Sequence, residues 1–230
     1  MRRLAVLTAV EAMREAHEQL DEELRDRVAK AEATAGARSP CRKGCAHCCY
    51  QPVEALSWEM PLLLAAIRDL PERKREQIRR ALRRAVDRLD VLNTDLGAIP
   101  GPPLPDVPTI EEAQLHSNSA AYMRRRIACP LLDRDGTCLV YAARPMACRT
   151  HAVVGGDPAA CADPASHLAF VAAKDLARRA RFRFSQLRGT EEGLAGLLVR
   201  WLSALWPLTA CSEEVFVHRG EALARGGKSH

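Results

Sequence analysis

The sequence predicts a mainly α fold, a single irregular helical domain organised around a cysteine-rich centre with little or no sheet. Three observations carry that prediction. Aromatic residues are only 4% of the chain, too few for sheet composition, while Ala, Leu, Arg and Glu, all good helix formers, dominate. Apolar residues recur at spacings of three, four and seven over long stretches. Eight of the nine cysteines fall between positions 41 and 161, so one part of the chain carries the chemistry.

With 230 residues and an apolar fraction of 47%, the chain can bury a core without a covalent staple. One domain over 1–225 is expected, followed by a disordered tail at 226–230. A net charge of +5 does not by itself imply nucleic-acid binding. The apolar opening Met1 to Val10 is cut by Glu11, short of a secretory leader, and no run approaches the roughly 20 apolar residues of a membrane span. A cytoplasmic protein is expected. Reducing surroundings, an odd cysteine count and the adjacent Cys48 and Cys49 all argue against a disulfide framework and for metal ligation.

In chain order, Val6, Val10, Met13, Leu20, Leu24, Val28 and Ala31 mark a long amphipathic helix from about Leu4 to Ala35, ended by Gly36. His17 lies on its apolar stripe and should face inward as a packed residue. Ser39 and Pro40 could cap a helix presenting Cys41, Cys45, Cys48 and Cys49 on one face. Gly44 supports the alternative, a knuckle loop. Ser57 caps a core helix to about Leu70.

From Pro71 to about Leu96 runs a second amphipathic helix with Ile78, Leu82, Val86, Leu89 and Leu92 on one face. Its other face carries Arg73, Lys74, Arg75, Arg79, Arg80, Arg83, Arg84 and Arg88. That basic face could dock an anionic macromolecule or protein, or be a solvated helix face; the lack of stacking aromatics favours the second reading. A proline-rich loop at 97–108 follows, then a helix from Thr109 towards Ile127.

Asp135-Gly136 signals a turn that brings Cys129 and Cys138 to either side of a reversal, with Pro145 fixing the backbone ahead of Cys148. Cys161 follows a glycine-containing loop. Asp163-Pro164 should open a helix to about Leu187, and Thr190 should cap the last, with Leu194 through Leu205 in the core, halted by Pro207. Cys211 has no partner nearby in sequence.

A tetrahedral zinc takes four thiolates, so Cys41, Cys45, Cys48, Cys49, Cys129, Cys138, Cys148 and Cys161 exceed one mononuclear site. The surplus favours two sites or a polynuclear centre such as an iron–sulfur cluster; spacing leaves zinc and iron open. Eight thiolates around two divalent metals leave about four uncompensated negative charges, which Arg42, Lys43, Arg144 and Arg149 are placed to offset. His47 and His151 are substitute ligands.

These motifs resemble those of the YkgJ-type cysteine-cluster proteins: four cysteines ending in a Cys-Cys pair, then a Cys with a short acidic turn, then Cys-x-x-x-Tyr-x-x-Arg-Pro-x-x-Cys-Arg. Here they stand at Cys41 to Cys49, Cys129 to Asp133, and Cys138 to Arg149, with Tyr141, Arg144 and Pro145 in register. The resemblance spans about Cys41 to Cys161 and implies zinc or iron chelation. Part of that family is similar to a flagellin lysine N-methylase, which implies an alternative: an iron–sulfur-dependent methyltransferase or redox enzyme using S-adenosylmethionine. Cys41-x₃-Cys45-x₂-Cys48 matches the spacing of radical S-adenosylmethionine enzymes. The strand–helix alternation of their barrel is missing from the sequence. A further alternative is a structural zinc module docking a partner through the basic helix.

Overall fold

The computed structural model describes residues 2–96, 119–166, 168–173, 175–180, 182 and 195–210. The proline-rich loop, Thr109, Thr190, Cys211 and the 226–230 tail lie outside the described residues. The architecture is mainly α, as the composition predicts.

Helix α1 (Arg2–Ala35) buries Met13, Ala16, His17, Leu20 and Leu24 on one stripe, and Gly36 ends it at φ +61, the left-handed geometry that glycine adopts without cost. Strand β1 (Glu54–Leu56) leads through a 3₁₀ turn into α2 (Met60–Arg68), whose Met60, Leu62, Leu63, Leu64 and Ile67 are all buried. Helix α3 (Glu72–Leu96) buries Ile78, Leu82, Ala85, Leu89 and Leu92, as its period predicts. Among the described residues helix α4 covers 119–124 and ends before Ile127. Helix α5 (Met146–Thr150) carries Cys148, and α6 covers 175–180.

Two departures from the sequence reading shape the site. The helix expected from Asp163-Pro164 does not start there. The Asp163 carboxylate accepts the Ala165 N–H (2.9 Å) and its carbonyl accepts the Ser166 N–H (3.2 Å), which closes a turn instead. Residues 169–171 then run extended against 152–154, with Val154 N–H to Ala169 O (3.1 Å) and Val171 N–H to Ala152 O (2.8 Å), and helix is described over 175–180.

The second departure is at 195–197, expected inside the last helix. These residues form strand β2 (Ala195–Leu197), antiparallel to β1 with Ala55 opposite Gly196. The buried residues Ala55 and Leu56 need backbone hydrogen-bond partners, and β2 supplies them, the ladder continuing with Leu198 N–H to Val53 O (2.8 Å). Helix α7 (Leu198–Leu205) starts from that ribbon and packs on α3, with Trp201 donating its indole N–H to Ala55 O (3.1 Å). Arg27 of α1 holds Asp175 of α6 through two hydrogen bonds of 2.6 and 2.5 Å, so the frame closes around the cysteine segments.

Candidate metal centre

Residues 41–49 form the knuckle loop, not the capped helix. Ser39 Oγ accepts the Cys41 N–H (3.2 Å), and Gly44 turns the chain at φ +93, a geometry incompatible with continuing a helix. A 3₁₀ turn over His47–Tyr50 then carries Cys48 and Cys49. The second segment forms the expected reversal. Gly136 sits at φ +82, Asp133 N–H bonds Thr137 O (2.8 Å), and Leu139 N–H bonds Leu131 O (2.9 Å), placing Cys129 and Cys138 on neighbouring arms. Two contacts join the segments: Cys129 N–H donates to Cys49 O (2.8 Å), and a Cβ at Gly136 would stand 3.3 Å from Gly44 O.

The eight described cysteines are free thiols. Cys41, Cys45, Cys48, Cys49, Cys129, Cys138 and Cys148 line one cavity of about 470 Å³, whose walls also include His151, Tyr141 and Arg144. Cys161 does not line it. It is buried in the 3₁₀ turn Pro158–Ala162, which packs on the turn carrying Cys48, and its carbonyl accepts the Gln51 side-chain N–H (2.6 Å). Of the two histidines considered as ligands, His151 reaches the cavity and His47 does not.

Among the described residues no group of three or more His, Cys, Asp or Glu side chains is already set to hold a metal ion. Seven of the thiols line a shared space. The donor set nevertheless fits a soft, thiophilic metal. Peptide N–H groups point at the sulfurs: Val153 N–H lies 3.5 Å from Cys41 Sγ, and the Leu131 and Val140 N–H groups bond Cys129 and Cys138. Such bonds stabilise the thiolate a metal requires.

Without a metal the thiols of Cys48, Cys129, Cys138, Cys148 and Cys161 are shifted towards the protonated form. Burial is the largest cause at Cys129, Cys138 and Cys148, all raised above the ordinary thiol range. At Cys48 the hydrogen bond with Cys49 comes first and burial second. Cys161 is pushed up to about 11, mainly by burial and then by Cys48, Cys41 and Cys45.

Over residues 40–163, more than half of its length, the chain matches the family CxxCxxCC, described as "putative zinc- or iron-chelating domain". The chain belongs to that family. The YkgJ-type cysteine cluster expected from the motifs is the same domain. In this member three residues, not two, separate Cys41 from Cys45, and Gly44 takes the turn. No curated protein and no solved structure matches the chain.

Several residues that brace the CxxCxxCC centre escaped the sequence reading. Arg149, expected to offset thiolate charge, is 4% exposed and serves as a clamp. It pairs with Asp21 of α1 and donates to the Ala142 and Arg144 carbonyls, the latter at 3.0 Å. Burial lowers its pKa first, against the pull of Asp21. Arg144 stacks over Tyr141 at 3.9 Å. Glu59, 2% exposed, accepts the Leu56 N–H (2.9 Å) and the Met146 N–H (2.6 Å), with His17 Nε2 3.5 Å away. A lone carboxylate in the apolar run Ala55 to Leu64 was the signal for it.

Three cations of the basic face of α3 are held in ion pairs. Lys74 pairs with Asp133, which also accepts from Gln77 (2.9 Å), so α3 anchors the second cysteine segment. Arg75 pairs with Glu72, and Arg79 with Glu76 at 2.6 Å. Among the described residues no helix is long and apolar enough to cross a membrane.

Proposed function

We propose that the protein holds a thiolate-ligated centre of more than one metal, zinc or an iron–sulfur cluster, through Cys41, Cys45, Cys48, Cys49, Cys129, Cys138, Cys148 and Cys161. The observation that carries this reading is that seven of those thiols, from two segments some 80 positions apart in the chain, line one cavity. Four thiolates saturate a tetrahedral zinc, so seven or eight serve more than one ion or a cluster. The chain's own residues position the thiols: Arg149 and Glu59 hold the segment carrying Cys148, while Cys129 and Cys148 are half-buried in the cavity wall. When bound, the metal would supply Lewis-acid or electron-transfer chemistry according to its identity.

Anaerobic purification followed by metal and acid-labile sulfide analysis tests it. Stoichiometric zinc, or iron with sulfide and charge-transfer bands, is expected. A folded protein lacking both, unaffected by replacement of Cys45 and Cys148, sinks the reading.

A second reading, an iron–sulfur enzyme acting with S-adenosylmethionine, draws on the room beside the thiols. The cavity continues along α1 past Asp21, Arg25, Val28 and Glu32. Anaerobic incubation of the reconstituted protein with S-adenosylmethionine and dithionite should then show binding or cleavage. Neither being detected removes this reading.

A further inference from the structure

Helix α3 carries a cationic face but no aromatic residue in its own sequence, so by itself it offers nothing for a base to stack on. The fold supplies that ring from much later in the chain. After α7 the 3₁₀ turn Trp206–Ala210 packs back on α2. Trp206 and Thr209 of this turn, Arg68 from the last turn of α2, and Arg75 and Arg79 of α3 line one cleft of about 500 Å³. It shares no lining residue with the cysteine cavity.

Trp206 differs from the other two tryptophans. Trp58 and Trp201 are buried, the second with its N–H bonded to Ala55 O (3.1 Å), whereas Trp206 is half-buried and contributes to the wall of the cleft. The Thr209 hydroxyl donates to Trp206 O (2.8 Å), which holds the turn closed. The guanidiniums beside it are positioned by Glu72 and Glu76, which line the same cleft. Arg79 reaches Glu76 through Nε (2.6 Å), and Arg75 pairs with Glu72 while donating to Arg68 O (3.4 Å). Such i,i+3 pairs fix where each guanidinium stands yet engage only part of its five N–H donors. Three guanidiniums against two carboxylates leave the cleft with one positive charge in excess.

We propose that this cleft binds a nucleoside phosphate, its base stacked on Trp206 and its phosphate held by Arg68, Arg75 and Arg79. An indole and a cluster of guanidiniums in one cleft match the two ends of such a ligand, a flat base and an anion whose oxygens accept paired N–H donors. The volume lies within the range of small-molecule sites, about 300–1,000 Å³. A free nucleotide and a nucleotide of a single strand share this chemistry. The proposal is independent of the metal-centre reading, because the two sites have no residue in common.

Titration of the full-length chain with adenosine 5′-monophosphate, followed by tryptophan fluorescence and equilibrium dialysis, tests it. Saturable binding is expected. Trp206→Leu, which keeps apolar packing but removes the ring, should weaken it at least about fivefold. The double variant Arg75→Gln, Arg79→Gln should weaken it at least about tenfold, and its substitutions lie on partly exposed helix surface where the fold tolerates them, as circular dichroism would confirm. Inorganic phosphate bound as tightly as the nucleotide, or nucleotide binding unchanged in either variant, overturns the proposal. A single-stranded RNA hexanucleotide separates the two sources: affinity within about tenfold of the monophosphate assigns a free nucleotide, and tighter binding assigns a strand. No binding of either overturns the proposal outright.

Discussion

Residues 41–49 and residues 129–149 bring thiols to the same cavity with very different support. The first segment is an exposed loop at Cys41 to Gly44, held by local backbone bonds such as Cys45 N–H to Arg42 O (2.9 Å) and Cys49 N–H to Ala46 O (3.0 Å). The second is a hairpin and short helix gripped from three sides. Lys74 and Gln77 of α3 hold Asp133, Asp21 of α1 holds Arg149, and Glu59 caps Met146 at the start of α5. Half of the site is thus built into the core and half is laid over it. Ordering costs in the first segment would fall on metal binding, while those in the second are met by folding.

That contrast can be broken most directly at the clamp. Arg149→Ala should destabilise the metal-free protein by about 2–3 kcal/mol in urea unfolding, below the full cost of a buried pair because Asp21 is 31% exposed. Removing Arg42, an exposed residue of the first segment, should leave the midpoint unchanged within error. Equal losses from both would erase the distinction.

Thiol alkylation sharpens it. In the metal-free protein Cys41, which is exposed, should react with iodoacetamide at least about tenfold faster than Cys129 or Cys148, whose thiols are kept protonated by burial. Peptide mass mapping over time gives the order. Uniform labelling would mean that the second segment opens as freely as the first.

The two turn glycines offer a finer comparison. Both have positive φ, so Gly44→Ala and Gly136→Ala each cost about 1 kcal/mol in backbone strain. Gly136→Ala should cost more, because its Cβ would stand 3.3 Å from Gly44 O, while Gly44 has open space around it. Thermal midpoints of the pair would show the order, and a larger loss at Gly44 would contradict the packing described.

The smallest expected effect is in pH. Burial is the largest influence on His17 and holds its pKa below the ordinary value, against the upward pull of Glu59. The folded protein then binds fewer protons here than the unfolded chain, so this contribution is complete above about pH 6.5 and declines as pH falls below it. His17→Gln should flatten the loss of stability between pH 7 and pH 5. Since Glu59 links His17 to Met146, acid should loosen the second segment ahead of the first. An unchanged slope in the variant removes His17 from the account.

Much of this was legible in local pattern. The stripes of α1 and α3 follow from apolar spacing, Asp135-Gly136 marks its turn, and the cysteine motifs name the chemistry, because period and turn preference act over a few residues. Where local signals conflicted, tertiary contacts settled them. Ser39 and Pro40 look like a helix start, but Gly44 bends the chain into a loop lying against the Gly136 turn. Residues 195–197 look helical, but the open edge of β1 draws them into a strand.

By itself the sequence determined that the chain is mainly helical and that it carries the cysteine motifs of a zinc- or iron-chelating family, since both rest on residue type and short-range spacing. Tertiary structure alone decided which thiols share a cavity, that Cys161 stands behind it, and that Arg149, Glu59 and Lys74 act as braces. Those outcomes depend on partners from α1, α3 and the 3₁₀ turn ahead of α2 that lie up to 128 positions away, and no local preference encodes where such partners meet.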